Sequence, residues 1–438
     1  MSAASKPGPD SKRAEDGGAT DDALADDSPA ESAFRGVDGV SKSGASPYRG
    51  TGPGGRAKEQ PKTIWERAFY RWAAISVVMG ALYTLYFAHP YYRNAQFTAF
   101  KTVYPAACGL WLCLGLFYVK ATLEKFSERR FTMRDGGLHF VLLAKAFQEK
   151  RFWRVAKNRR VRTTLLTIIV KGFFTPLMTG FVVGHLNGIS RAWLNHKHLP
   201  LMDFKVPAGA SILTSLKMWW AHVGVRLADL VPSGHDFAAF VQPWTWTRAD
   251  VSWGLGISYD LIFAIDCGWA LFGYATESRW LGNKTRSVEP TAFGWTVCLA
   301  CYPPFNNVLG TYLPLENGPQ LIASETMHLV LRGGVVFLFA IYAAATVSFG
   351  FKFSNLTNRG IVSRGPYRFV RHPAYLCKCA AWWLEHVPTM TITKAFFLTL
   401  LCGVYALRAW TEERHLGMDP DYVAYKKKTP WVLFPGIY

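Results

Sequence analysis

Long apolar runs separated by short polar segments follow one another through most of the chain. A run of about twenty apolar residues is long enough to cross the hydrocarbon core of a bilayer as a helix. The runs of this kind are 68–88, 102–119, 164–184, 253–274, 291–312 and 327–350. Two shorter runs, 374–388 and 391–407, are separated by "VPTM" and predict a tight helical hairpin. The pattern predicts an all-α, polytopic integral membrane protein with about eight transmembrane helices.

Basic residues are distributed unevenly between the polar segments. Segment 120–162 carries thirteen Lys or Arg against four acids, whereas segment 313–325 has no basic residue. The positive-inside rule makes the first cytoplasmic and the second external. Alternation of the spans then places both termini, segment 277–290 and segment 352–372 on the cytoplasmic side. Segment 185–250, which is long and rich in Trp, is interpreted as an external loop with an interfacial helix; a re-entrant segment or an additional pair of spans is the alternative.

The first sixty residues differ in composition from the rest. They are rich in Gly, Ala, Ser, Pro and Asp, which predicts a disordered cytoplasmic tail over 1–60. The tail holds 8 of the 49 basic and 10 of the 30 acidic residues, so the excess positive charge belongs to the apolar part. A basic membrane protein explains this charge better than nucleic-acid binding does. Region 61–350 is predicted as a transmembrane helical region of unassigned role with the basic loop 120–162, and 351–438 as a C-terminal domain.

A rigid polar motif, "SRGPYRFVRHPAYLCKC" at 363–379, lies where the sixth apolar run ends and the seventh begins. Pro366 and Pro373 disfavour helix for the residues that precede them, and Gly360 and Gly365 free the backbone to turn. Non-helical backbone at the bilayer boundary is tolerated only against protein or a wet cavity. A basic anchor for anionic lipid headgroups is one interpretation. It leaves unexplained a His-Pro-x-Tyr sequence at the start of a helix, for which a functional site is the second interpretation.

A second polar group, "YALRAWTEERHL", ends the last apolar run. Arg408 and Glu412 are four residues apart and therefore share one face of a helix, which is also the spacing of an ordinary surface ion pair. Both polar groups lie at the cytoplasmic end of the predicted hairpin, so we expect them to be close in space. Cys298 and Cys301 form a C-x-x-C without a second ligand pair and are interpreted as buried apolar side chains, so no metal site is predicted.

The sequence "RGPYRFVRHPAYL", followed by "RAWTEE" and "DYVAYKKKTPWVLFPG", resembles the isoprenylcysteine carboxyl methyltransferases and the related phospholipid methyltransferases. The resemblance covers about residues 352–438. In that family these motifs build a site for S-adenosylmethionine that opens to the cytoplasm, and a lateral opening admits a lipophilic acceptor from the bilayer. The resemblance implies an integral-membrane, S-adenosylmethionine-dependent methyltransferase that acts on a lipid or lipid-linked acceptor at the cytoplasmic leaflet. Leu376 stands where the family usually has glycine, which affects the expected shape of the pocket.

The resemblance also implies roles for individual residues, transferred by matching position. The residues implied to bind the cofactor are Gly360, Ile361, Val362, Tyr367, His372, Pro373, Tyr375 and Glu412. Arg408 is implied to face the acceptor. The chemistry adds a further candidate: an amine acceptor would need a proton removed, and Glu413 or His372 could serve as the base.

The residue types suit this chemistry. Methyl transfer from a sulfonium is an in-line displacement, in which positioning counts for more than acid–base catalysis. Aromatic rings such as those of Tyr367 and Tyr375 attract a sulfonium, and Glu412 would hold the cofactor's ammonium by a charge-assisted hydrogen bond. Arg408 would steer an anionic acceptor such as a carboxylate.

Two alternatives remain open at this point. Membrane sterol reductases end in a similar Arg-His-Pro-x-Tyr region but bind NADPH, and a non-catalytic scaffold or transport protein would use only the upstream spans. The Arg-x-x-x-Glu-Glu sequence after the hairpin favours methyl transfer. The expected partners are a lipophilic or lipid-linked substrate and membrane lipids, with no nucleic acid. The oligomeric state is not predicted.

Overall fold

The computed structural model describes residues 63–126, 131–196, 247–278, 281–434 and 436. The tail predicted over 1–60, and most of the loop predicted over 185–250, lie outside these residues. Statements on the fold below refer to the described part of the chain.

The architecture is all-α, as predicted, with one short pair of strands. The helices are α1 Ile64–Ala88, α2 Thr98–Lys125, α3 Thr132–Gln148, α4 Phe152–Ala156, α5 Arg159–His196, α6 Arg248–Ala275, α7 Ala292–Leu299, α8 Phe305–Tyr312, α9 Glu325–Phe349, α10 Pro373–His386, α11 Ile392–Leu416 and α12 Pro420–Lys428. Short 3₁₀ segments are Pro90–Arg93, Ala95–Phe97, Gly350–Lys352, Gly365–Arg368 and Val387–Thr389. The strands are β1 Ser287–Val288 and β2 Thr357–Asn358.

Side-chain caps define where several long helices begin. The hydroxyl of Thr247 accepts a hydrogen bond from the backbone N–H of Asp250, whose carboxylate accepts one in return, at the start of α6. Ser324 and Thr391 cap α9 and α11 in the same way through one side-chain oxygen each. Each cap satisfies a backbone N–H that has no partner within the helix. At the other end of α9, Gly350 adopts a positive φ of 56° and ends the helix.

Six helices are long and apolar enough to cross a membrane, within the residues that the structure describes: α1, α2, α5, α6, α9 and α11, of which α2 and α9 are extended by adjoining 3₁₀ turns. They coincide with six of the eight predicted spans. The fifth predicted span, 291–312, is instead two short helices, α7 and α8, because Pro303 and Pro304 interrupt the backbone hydrogen bonds between them. The seventh, α10, has 14 residues and so is about 21 Å long, short of the roughly 30 Å hydrocarbon core.

The C-terminal hairpin is confirmed. Helices α10 and α11 are joined by the 3₁₀ turn Val387–Thr389. Helix α9 packs along α10, and Val335, Phe339 and Ala381 form a buried cluster between them. The hairpin therefore brings the polar motif at the start of α10 level with the end of α11.

Two segments that flank the site are tied together by the strand pair. β1 and β2 are antiparallel, with Ser287 opposite Asn358 and Val288 opposite Thr357. The backbone N–H groups of Arg286 and Glu289 extend the pairing. The connection after α6 is thereby fixed against the connection after α9, which carries Gly360.

Candidate functional site

Two glycines shape the backbone between α9 and α10. Gly360 has φ 102° and Gly365 has φ 63°, which is the left-handed region that other residues rarely adopt. A Cβ at Gly365 would collide with the Ser348 hydroxyl, and one at Gly360 would lie 3.2 Å from the Lys352 ammonium. The predicted turn therefore needs glycine at both positions, because of the backbone conformation and because of the space available.

The C-terminal segment holds the Arg-His-Pro sequence in place. The backbone N–H groups of Arg371 and His372 donate to the carbonyls of Trp431 and Val432 at 2.9 and 3.0 Å. The Arg371 guanidinium also donates to the carbonyls of Thr429 and Pro430. Pro373 is then the first residue of α10, where its missing N–H is not needed.

The Glu413 carboxylate collects four donors. Arg371 Nε, His372 Nε2 and Tyr422 Oη lie 2.7, 3.1 and 2.5 Å from its Oε1, and Lys426 Nζ lies 3.1 Å from its Oε2. Burial, and then the neighbouring carboxylate, raise the pKa of Tyr422 well above its usual value, so its hydroxyl stays a donor. Glu413 therefore joins the polar motif, α11 and α12.

Its neighbour Glu412 has a more open environment. Tyr375 Oη donates to Glu412 Oε1 at 2.5 Å, Arg408 Nε lies 3.4 Å from the same oxygen, and His372 Nδ1 lies 3.8 Å from Oε2. The His372 and Tyr375 rings are stacked, with centroids 5.5 Å apart. The two polar groups expected to be close in space are in contact.

Arg408 is buried beneath this carboxylate. Its Nη2 donates to Asn355 Oδ1 at 2.5 Å, and its guanidinium lies 5.3 and 5.2 Å from the ring centroids of Tyr302 and Tyr375. The positive charge of Arg408 is therefore paired with the Glu412 carboxylate and flanked by two aromatic rings.

A cavity that opens to solvent adjoins these side chains. Seven of the eight residues predicted to bind the cofactor line it: Gly360, Ile361, Val362, Tyr367, His372, Tyr375 and Glu412. Arg408, predicted to be catalytic, lines it too. Pro373 and Glu413 are not among the lining residues. The roles of all ten residues remain predictions, but the structure gathers eight of them around one space.

Several lining residues were not identified from the sequence. Arg371 and Lys378 stand within the quoted motif, so their positions offered a signal that was not used. Tyr302 and Asn355 come from segments whose approach to Arg408 depends on tertiary packing. Across the described residues, no three His, Cys, Asp or Glu side chains form a group that could hold a metal ion.

Residues 326–418 match the model of the isoprenylcysteine carboxyl methyltransferase (ICMT) family, a family of membrane methyltransferases. The match covers about a fifth of the chain, from the start of α9 to just after α11, and includes all ten predicted site residues. It begins earlier than the predicted domain boundary at 351 and ends before Tyr422. No curated protein and no solved structure matches the chain.

Proposed function

We propose that this protein is an integral-membrane methyltransferase that uses S-adenosylmethionine to methylate a lipid or lipid-linked acceptor at the cytoplasmic leaflet. The observation that carries the proposal is the convergence of His372, Tyr375 and Glu412 on one cavity inside the region that matches the methyltransferase family.

The charges around the cavity suit a cofactor that has one carboxylate, one ammonium and one sulfonium. Lys352 and Arg359 line the cavity beside Gly360, and Arg359 Nε and Nη2 are buried without a hydrogen-bond partner. These cations would bind the carboxylate, while Glu412 would bind the ammonium. The ring of Tyr375 would face the sulfonium. S-adenosylmethionine would supply an activated methyl group on a positively charged sulfur.

We assign different roles to the two residues predicted to be catalytic. Arg408 donates to both Glu412 and Asn355 and would therefore position Glu412 beside the cavity. Glu413 has four donors and lies behind the lining residues, so it would position His372 rather than remove a proton from the acceptor. Catalysis would then depend mainly on orientation within a preformed space.

A lipophilic acceptor is supported by an open apolar groove along α10. It is lined by Leu338, Leu376, Cys379, Ala380, Trp383, Leu384, Val387, Cys402 and Phe434. An alkyl chain would find apolar contacts there at membrane depth. The mouth of the cofactor cavity would lie on the cytoplasmic side if the basic loop 120–162 does, as the positive-inside rule predicts.

Binding to the detergent-solubilised full-length protein tests the proposal. S-adenosylmethionine should bind, NADPH should not, and labelled cofactor should transfer its methyl group to a lipid in membranes that contain the protein. At sub-saturating S-adenosylmethionine, Glu412→Gln and His372→Ala should each strongly reduce the labelling, whereas Glu385→Gln, an exposed acid at the far end of the same hairpin, should not. NADPH binding without S-adenosylmethionine binding would favour the reductase alternative. Labelling that survives both site variants would overturn the proposal.

A further inference from the structure

A lysine on α10 lies inside an aromatic cage at the wall of the cofactor cavity. Lys378 is three residues after Tyr375, so both project from the same face of α10 and line the cavity. Its ammonium lies 5.8 Å from the ring centroid of Tyr342, 5.3 Å from that of Trp382 and 5.3 Å from that of Tyr405. One ring comes from each of α9, α10 and α11, so packing of three helices holds the ammonium in place.

This ammonium has no anionic partner in the described part of the chain. Among the residues that the structure describes, none makes a hydrogen bond or ion pair with Lys378, whereas Arg408 contacts Glu412. The acid that influences Lys378 electrostatically is Asp266, which accepts a hydrogen bond from Tyr342 Oη at 3.0 Å but is not paired with the lysine. An unpaired cation at this half-buried position is unfavourable, and an anion that enters the cavity lowers the cost.

We propose that Lys378 binds the anionic oxygen group, a carboxylate or a phosphate, of the lipid acceptor. This inference rests on the proposed function, which it deepens by naming the charge of the acceptor and the residue that selects it. The aromatic rings stabilise the ammonium through their faces and leave its N–H groups free to donate. An anion placed there would be attracted by the lysine and by a cationic cofactor together, whereas an uncharged or cationic head group would gain nothing from Lys378.

Two substitutions of Lys378 in the full-length protein test this assignment. Lys378→Met keeps much of the volume and loses the charge, so labelling of membrane lipid by labelled S-adenosylmethionine should fall by at least about thirty-fold. Lys378→Arg should retain most of the activity, because it keeps the charge. Binding of S-adenosylmethionine should change by less than about two-fold in both variants. The matched control is Lys101→Met, since Lys101 also lies 5.8 Å from an aromatic centroid, that of Phe87, but not at the cavity.

An assay without the cofactor separates binding from turnover. Thermal unfolding of the solubilised protein is followed with palmitate, hexadecyl phosphate or hexadecanol, which present a carboxylate, a phosphate or a neutral head on the same chain. At least one anionic amphiphile should raise the Tm of the wild type and of Lys378→Arg but not of Lys378→Met. Hexadecanol should act equally on all three. Whichever anion acts identifies the chemistry that the site accepts.

The outcomes separate failure of this inference from failure of the proposed function. Equal lipid labelling by the wild type and Lys378→Met, or equal response of both to every amphiphile, would overturn the role of Lys378 and leave methyl transfer in place. Absence of any stabilisation of the wild type by either anion would also overturn it. If the wild type neither binds S-adenosylmethionine nor labels lipid, the proposed function itself is wrong.

Discussion

Two adjacent carboxylates at the end of α11 have opposite surroundings and therefore different expected effects. Glu412→Gln removes a charge at the cavity wall, where 31% of the side chain is exposed, so S-adenosylmethionine affinity should fall about ten- to one-hundred-fold. Glu413→Gln leaves Arg371 and Lys426 without their carboxylate. It should lower the free energy of unfolding by about 3 kcal/mol. Isothermal titration and thermal unfolding in detergent measure the two effects.

Tyr422→Phe is a milder change that tests the loss of stability expected for Glu413→Gln. It removes one hydrogen bond to Glu413 and no charge, so the loss of stability should be about 1 kcal/mol. If Glu413→Gln instead leaves stability unchanged and reduces only turnover, Glu413 acts on the acceptor as a base and not as a positioning residue.

At the scale of residues, the sequence was informative where chemistry and position coincide. The Arg-His-Pro-x-Tyr motif and the pair Arg408 and Glu412 could be assigned to one site because both lie at the same end of a hairpin. The roles of Glu413 and Lys378 depend on which neighbours reach them. The sequence does not show that the Glu413 carboxylate has four hydrogen-bond donors, or that the Lys378 ammonium has no acceptor among the described residues. Asn355 could not be found, because its contact with Arg408 spans 53 positions.

At the scale of elements, the turn between β2 and the polar motif depends on Gly360. Gly360→Ala places a Cβ at φ 102° and close to Lys352, so it should destabilise the protein by about 1–2 kcal/mol and weaken S-adenosylmethionine binding. Gly403→Ala is the matched control in the interior of α11, where a Cβ meets nothing within 4 Å. That change should stabilise the helix by up to about 1 kcal/mol. Equal effects of the two substitutions on Tm and binding would contradict the assigned turn.

Helix α12 carries an acid-sensitive contact at its start. Burial alone would raise the pKa of Asp419, but hydrogen bonds from Asn358, the backbone of Asp421 and Arg286 outweigh it and lower this pKa below its ordinary value of 3.8. A carboxyl whose pKa is lower in the folded state stabilises the protein above its ordinary pKa, and this contribution is lost as pH falls through the folded value. Asp419→Asn should reduce Tm at neutral pH and flatten its decline from about pH 5 to about pH 3. An unchanged pH profile would exclude this contact as the source.

Element boundaries followed from hydropathy wherever an apolar run was long and uninterrupted, as in α9 and α11. The segment 291–312 was apolar enough to count as a span, but hydropathy does not register that Pro303 and Pro304 break the helix. The strand pair of two residues each lay below what periodicity detects. Both misses concern backbone hydrogen bonds, which depend on neighbours rather than on apolar content.

At the scale of the whole molecule, segments predicted on one side of the membrane contact each other. Gly318 N–H donates to the Thr389 carbonyl at 3.0 Å, and both lie in segments expected to be external. Arg286 pairs with Asp419 and Asp421 at 3.1 and 2.6 Å, in segments expected to be cytoplasmic. The charge rule predicts these groupings from the sequence alone, because every added span reverses the side.

Labelling of single introduced cysteines tests which group faces the cytoplasm. Glu316→Cys lies in the segment without basic residues and should react with a membrane-impermeant maleimide from the external side of sealed vesicles. Lys427→Cys, on the exposed face of α12, should react only after permeabilisation. The unsubstituted chain, with its eight native cysteines, gives the background to subtract. The opposite pattern would place the cofactor cavity on the external face, where a cytoplasmic cofactor cannot reach it, and labelling of both sites from one side would contradict the hairpin topology.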